Sequence, residues 1–391
     1  MPQDPDRWKI RFGQIFQAML AQSGKKVEDY LYFIPTGVTP NPHEEKSFEL
    51  IDLHNNRNVY NKYFSGTIPR ISALTAQTAK RLDATLVIVP GFGHHLLTQK
   101  AFGDQIPLLK KLGFNILYAF YDDSFESTEQ CAQRVYDIVK RKSDNQHQLI
   151  FFTYSKGSPI LVELLATPRY SDVAQRTRAV VSFAGALRGS ILASSKASRT
   201  TRKLLKAYKR FSRRIGLRTK FFRKILQWAS KLRVPGLKNL HIFFEKAAEF
   251  SDDLTDLPEG ITDLMRVTCE HDHAGVHVPD SITLFSLSAV YPEAAFEKGL
   301  QFITNPDDLF LYVSGQELYK HNVFNDTQVI LPDSEFFKGT GTIINLGIVK
   351  TDHWGIALPR VYSRRYKDPF PRTEMLQAVL LVLDECFSSS Q

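Results

Sequence analysis

Ser155 stands between two segments of opposite character. Before it, residues 149–153 form the short apolar run Leu-Ile-Phe-Phe-Thr; after it, Pro159-Ile160-Leu161-Val162-Glu163-Leu164-Leu165 begins a helical pattern. Proline falls in the first turn of that pattern, where a missing N–H costs nothing. The order predicts a buried strand, a sharp corner and a helix, with Ser155 on the corner. A serine held there can attack a carbonyl carbon if a base takes its proton and a third group orients the base. Such a corner leaves little room two residues before and after the nucleophile, which is why it is written G-x-S-x-G. Gly157 fills the second position and Thr153 stands at the first. The bland alternative is a serine that caps the helix N-terminus.

Three further segments carry groups able to serve such a serine. Residues 342–349 read as a late strand that runs through Lys350-Thr351 into Asp352-His353-Trp354-Gly355, which puts His353 on a loop ahead of the C-terminal helix. His353 is either a base or a structurally satisfied histidine. Phe324-Asn325-Asp326-Thr327-Gln328-Val329 carries a carboxylate between serine and histidine, and its alternative is an ordinary Asn-Asp turn. Asp280, Asp307 and Asp308 are weaker choices for that carboxylate, and Asp352 is read as pointing elsewhere. Upstream, residues 86–89 form an apolar strand that ends in Pro90-Gly91-Phe92-Gly93-His94-His95. Small residues at this corner can free backbone N–H groups, or can be plain loop geometry.

Taken in order, these four segments resemble the α/β-hydrolases over roughly residues 81–391. The Asn325-Asp326 segment is similar to the N-D-G-x-V stretch of lipase-like members, with Thr327 where they have glycine. The resemblance implies an α/β fold, a mainly parallel, doubly wound α/β-hydrolase sheet with an inserted helical, basic cap. It implies a triad of Ser155, Asp326 and His353, and an oxyanion hole from the backbone N–H groups of Phe92 and Lys156. His94, His95, Tyr154 and Trp354 are candidates for the substrate pocket. The expected chemistry is hydrolysis of a carboxylic ester, lipophilic or lipid-like, through an acyl-enzyme, with no cofactor. Acyl transfer on the same site is an alternative, since a site that admits water can admit an alcohol. A non-catalytic scaffold is a second alternative, and Thr153 is the residue that speaks for it.

The elements that must position these residues follow from periodicity. Strands are expected at 86–89, 115–121, 149–153, 179–184, 282–290 and 342–349, with helices near 101–112, 129–142 and 375–387. Alternation of this kind predicts a parallel sheet covered on both faces, with ligands at the carboxyl ends of its strands. Residues 1–80 read as an extension packed on the core, with an amphipathic helix over 10–20, a proline-bearing loop at 35–42 and a strand or hairpin before Pro69. The core is expected to comprise 81–186 and 281–391, interrupted by a helical cap at 187–280.

The cap region dominates the charge. Residues 196–238 carry 16 of the chain's 50 lysines and arginines and no acidic residue, so they outweigh the net charge of +9 and the rest of the chain is acidic. Leu204, Tyr208, Phe211 and Ile215, then Phe221, Ile225, Trp228 and Leu232, recur at helical spacing on either side of Gly216. Two basic amphipathic helices are expected. They suit a solvated lid, an interfacial pair on an anionic membrane surface, or a nucleic acid, for which no reading motif accompanies them.

Composition sets the remaining bounds. A chain of 391 residues, 43% of them apolar, can bury a large core. Its apolar runs fall short of the roughly 18–20 residues that span a bilayer. The first residues lack the order of a secretory signal, and Cys131, Cys269 and Cys386 are too few and too far apart for a disulfide framework. A cytoplasmic protein is expected, peripheral at the inner membrane surface if the basic helices bind lipid. Cys269, His271, Asp272, His273 and His277 lack the paired spacing of a metal site and read as a polar loop.

Overall fold

The computed structural model describes residues 6–32, 34, 74–92, 94, 100–121, 126–144, 147–193, 263–264, 276–291, 306–336, 341–359 and 370–388. In chain order the elements are α1 (Arg7–Ala21), β1 (Leu31–Tyr32), α2 (Ala76–Leu82), β2 (Ala84–Val89), α3 (Ile106–Lys111), β3 (Asn115–Tyr118), α4 (Thr128–Lys142), β4 (Gln148–Tyr154), α5 (Gly157–Ala166), α6 (Ser171–Arg176), β5 (Thr177–Phe183), β6 (Thr283–Val290), α7 (Pro306–Tyr319), β7 (Thr342–Lys350) and α8 (Arg372–Ser388). The strands form one sheet in the order β1-β7-β6-β5-β4-β2-β3. Every pairing from β2 to β7 is parallel, and β1 alone runs antiparallel, against β7.

Parallel strands buried on both faces need apolar residues in both phases of the pleat, and the central strands have them. In β2, Leu86 and Ile88 enter one core while Val87 and Val89 enter the other; in β4, Ile150, Phe152 and Tyr154 oppose Leu149 and Phe151 in the same way. The first core lies under α1, α2 and α8, through Phe12, Phe16, Leu82, Met375 and Val379. The second lies under α4, α5 and α6, through Val135, Val139, Ile160, Leu164 and Val173. Each such side chain contributes roughly 1.5–3 kcal/mol when fully buried. The sheet is thus the middle of three layers.

Residues near the N-terminus complete the first layer. Phe12 and Phe16 stack with ring centroids 5.6 Å apart, one helical turn from each other, and Arg11 grips Glu385 of α8 through Nε and Nη2, both at 2.6 Å. The Lys350 N–H donates to the carbonyl of Tyr30 at 2.9 Å, which extends the β1 pairing.

Several elements differ from the periodicity reading. The helix expected from residue 101 starts at Ile106, because 101–105 form a turn with Phe102 at φ +56°. The strand expected to reach 121 stops at Tyr118. Four elements had no local signal: β1 is two residues long and exists through its partner, α2 and α6 are too short to show a period, and the apolar residues of α7 follow no helical period in the sequence.

Other expectations fall outside the described residues: the loop at 35–42, the strand before Pro69, His95, the basic stripes at 196–238 and the Cys269–His273 cluster. Among the described residues no helix is long and apolar enough to cross a membrane, and no group of three or more His, Cys, Asp or Glu could hold a metal ion. Cys131 and Cys386 are buried and not joined in a disulfide.

Candidate active site

The strand order reverses at β2. From there the chain winds outward to β3 on one side and to β4, β5, β6 and β7 on the other, the switch point at whose carboxyl ends open α/β sheets place ligands. Phe92 follows β2 and Ser155 follows β4.

Ser155 adopts φ +55°, a left-handed conformation that costs an L-residue about 1–2 kcal/mol. The surroundings hold it there. Its carbonyl accepts the N–H groups of Ser158 at 3.0 Å and Ala186 at 3.1 Å, and its own N–H donates to Phe183 at 3.4 Å. Two glycines let the corner close. A Cβ on Gly157 would lie 2.4 Å from the Val89 carbonyl oxygen, and one on Gly91 would lie 2.7 Å from Ser155 Cβ.

Thr153, at the position where the motif has glycine, is buried without strain. Its hydroxyl is 2.8 Å from Ser158 Oγ, which is 2.8 Å from Ser182 Oγ, and Thr153 Oγ1 also donates to the Val181 carbonyl at 3.4 Å. The small residue is needed across the corner instead: a Cβ on Gly185 would come within 2.2 Å of Ser182 Oγ and 2.6 Å of Ser158 Oγ. Sequence reasoning passed over this chain of hydroxyls. The run Ala184-Gly185-Ala186 at the end of β5 was its only local sign.

His353 lies on the loop after β7 and Asp326 on the loop after α7, 27 residues apart in sequence and both buried. His353 Nδ1 is 2.6 Å from Asp326 Oδ2, and the His353 backbone N–H donates to the Asp326 carbonyl at 2.6 Å. The other carboxylate oxygen accepts the N–H groups of Gln328 at 2.9 Å and Val329 at 2.7 Å. With a carboxylate facing it, Nδ1 is the donor, and the lone pair belongs to Nε2. His353 Nε2 is buried and makes no hydrogen bond. Hydrogen bonds between nucleophile and base commonly close only around bound substrate.

Tyr154 joins the two halves. Its hydroxyl donates to the His353 carbonyl at 3.0 Å, and the two rings lie 5.1 Å apart. The residue before the serine therefore fixes the histidine loop, which places Tyr154 within the constellation as an anchor. Trp354 is half-buried against the first core, and its carbonyl accepts Ala357 and Leu358.

Asp280 and Asp352 have other partners than His353. Asp280 is exposed, 3.9 Å from His277; Asp307 and Asp308 fall in the first turn of α7; Asp352 Oδ1 accepts the N–H groups of Trp354 and Gly355. Both ring nitrogens of His94 face backbone carbonyls, Nδ1 at 2.9 Å from Gly91 and Nε2 at 3.0 Å from Tyr121. That geometry ties the loop after β2 to the end of β3. Lys156 is fully buried, with Nζ donating to the Glu126 carbonyl at 2.7 Å.

No protein-family model matches the chain, and no curated protein matches it. Solved structures do. The chain is similar to a carboxyl esterase of metagenomic origin, with a TM-score of 0.62 and 21% identity over 96% of this chain and 91% of that one. It is similar, at a TM-score of 0.47, to EstA from Clostridium botulinum, with 14% identity over 77% of this chain and 87% of that one. Lipase 1 from Pelosinus fermentans aligns at a TM-score of 0.44 and 16% identity, over 78% of this chain and 98% of that one. The first of these likenesses, with the parallel sheet and its two helical layers, shows an α/β-hydrolase fold.

Proposed function

Given an α/β-hydrolase fold, we propose that the chain is a serine hydrolase that cleaves a carboxylic ester through Ser155, His353 and Asp326. One observation carries the reading: His353 is held by Asp326 at 2.6 Å while Nε2 stays buried without a partner. A buried nitrogen left unpaired costs about 1–3 kcal/mol, and such a cost calls for a use. Accepting the serine proton is one.

In the proposed reaction Ser155 Oγ attacks the carbonyl carbon as its proton passes to His353 Nε2. Asp326 holds the Nδ1–H and stabilises the imidazolium. The carbonyl oxygen takes the electron pair and is met by the backbone N–H groups of Phe92 and Lys156. Collapse of the tetrahedral intermediate breaks the ester C–O bond, and His353 protonates the leaving alcohol. Water, deprotonated by His353, then attacks the acyl-serine and releases the acid.

The carboxyl esterase among the structural neighbours supports the choice of an ester bond. The lipophilic character of that ester rests on the amphipathic stripes of residues 204–232 in the sequence, whose basic residues also suit an anionic surface.

The test is intact mass after exposure to a fluorophosphonate, which labels activated serines. One adduct on the parent and none on Ser155→Ala is the expected result. No adduct on folded parent protein, or an adduct that persists on Ser155→Ala, overturns the reading.

A further inference from the structure

Lys156 is an anomaly of placement: a lysine side chain with 0% relative exposure, next in sequence to the proposed nucleophile. Lysine is almost never fully buried unless paired, because removing its charge from water costs several kcal/mol. A side chain in that position is held for a reason. Its nitrogen meets groups on two different loops. It donates to the Glu126 carbonyl at 2.7 Å, and it lies 5.8 Å from the centroid of the Phe92 ring.

We infer that the Lys156 side chain is a positioning residue that sets the spacing of the oxyanion hole, by binding the ring of Phe92, the residue that supplies the other proposed donor. The inference rests on the functional reading above and deepens it. Phe92 and Lys156 are the two residues whose backbone N–H groups meet the oxyanion there, and the side chain of one lies over the ring of the other. An oxyanion hole works only when both donors sit about 2.7–3.1 Å from where the charge will develop. A cation over an aromatic face is attracted by the ring's quadrupole, which favours the loop conformation that keeps the ring in place.

The far end of the tether is itself fixed. Glu126 immediately precedes the Ser127 capping box of α4, in which Ser127 Oγ accepts from Gln130 N–H at 3.2 Å and Gln130 Oε1 accepts from Ser127 N–H at 3.0 Å. The Glu126 carboxylate pairs with Arg134 at 2.8 Å, and its carbonyl also receives the Cys131 thiol at 3.6 Å. On the other side, Gly91 packs on Ser155 and His94 bonds back to the Gly91 carbonyl, so Phe92 is bracketed by two fixed residues. Lys156 thus links the nucleophile corner, the loop after β2 and the start of α4.

The test is steady-state hydrolysis of a p-nitrophenyl butyrate series by the full chain, with inhibition by a trifluoromethyl ketone that mimics the tetrahedral oxyanion. Lys156→Met preserves the length and the backbone N–H but removes the charge and the donor. The expected result is a fall in kcat of about 10²-fold with KM within about threefold, and a parallel loss of trifluoromethyl ketone affinity. Lys156→Arg, which keeps a cation, restores part of it. Phe92→Leu, at a half-buried position, gives a similar fall, and the double variant falls no further than either single one, because both remove one contact. If Lys156→Met does not fold, Phe92→Leu alone decides by its kcat and inhibitor affinity. Unchanged kcat in folded Lys156→Met or Phe92→Leu, or effects that multiply in the double variant, overturns the inference. A parent protein that takes no fluorophosphonate label overturns the functional reading instead, and this inference with it.

Discussion

Asp326 contacts His353 twice, once from its carboxylate to Nδ1 and once from its carbonyl to the backbone N–H, each at 2.6 Å. The doubled contact fixes both the ring's tautomer and the position of its backbone. An Asp326→Asn variant keeps the carbonyl contact and can still accept the N–H groups of Gln328 and Val329 through its amide oxygen. Its amide nitrogen then faces Nδ1 as a donor, which drives the ring proton to Nε2. The expected outcome is a loss in kcat of roughly 10³–10⁴-fold with little change in KM or in circular dichroism. A loss below about tenfold in steady-state ester hydrolysis would remove Asp326 from the mechanism.

Thr153→Val tests the hydroxyl chain under the nucleophile. The change is nearly isosteric, but it takes one partner from Ser158 and leaves Ser182 as the other. Stability is expected to fall by about 1–2 kcal/mol in urea unfolding. Ser158 also holds the Ser155 carbonyl, so fluorophosphonate labelling slows as well. Thr153→Ser keeps the hydroxyl and the labelling rate. Equal labelling rates for the valine and serine variants would show that the chain serves stability alone.

Gly157→Ala sets a side chain 2.4 Å from the Val89 carbonyl oxygen and 2.8 Å from that of Pro90. Both obstacles are backbone atoms, one at the last residue of β2 and one at the first residue of the Phe92 loop, so relief has to come from moving the corner. A loss of about 1–3 kcal/mol in thermal or urea unfolding is expected, with slower labelling of Ser155. An alanine variant of parental stability would contradict the close approach.

Glu335 supplies a pH dependence. Burial raises its carboxyl above the ordinary value of 4.5, opposed in part by the hydrogen bond from Asn345 and by the charges of Lys9 and Arg188. A carboxyl that is raised in the folded state stabilises that state only while protonated. The contribution is complete below pH 4.5 and is lost as pH climbs through the raised value. Glu335→Gln keeps an oxygen for Asn345 Nδ2, 2.7 Å away in the parent, and never ionises. Its Tm should match the parent's in acid and rise above it as pH increases past that window. Parallel Tm curves for the two proteins would exclude the effect.

Much of this architecture is legible in the amino-acid sequence. The runs 86–89 and 149–153 are apolar in both phases of the pleat, which is what a parallel strand under two helical layers requires, and β2 and β4 cover them. The Gly91 and Gly157 positions were equally readable, because a glycine beside a strand end signals close approach of backbones. Such signals are local. They depend on side-chain period and on the steric freedom of single residues, and both are properties of a few neighbouring positions.

What the sequence alone determined, then, is the order of the strands and helices in the chain and the set of loops that follow the strands. Which groups meet across those loops was decided by the tertiary structure. Asp280, Asp307, Asp308, Asp326 and Asp352 are chemically alike, and only the path of the loop after α7 brings Asp326 to His353. Thr153 looked incompatible with a tight corner until Gly185, on another strand's loop, was seen to provide the space. Lys156 drew notice in the sequence only for its backbone N–H, and it is packing against Glu126 and Phe92 that buries its side chain. The same limit applies to β1, a two-residue strand that exists because β7 offers it an edge. Contacts between residues tens or hundreds of positions apart leave no period and no motif in the chain, since their energy arises only when the layers close.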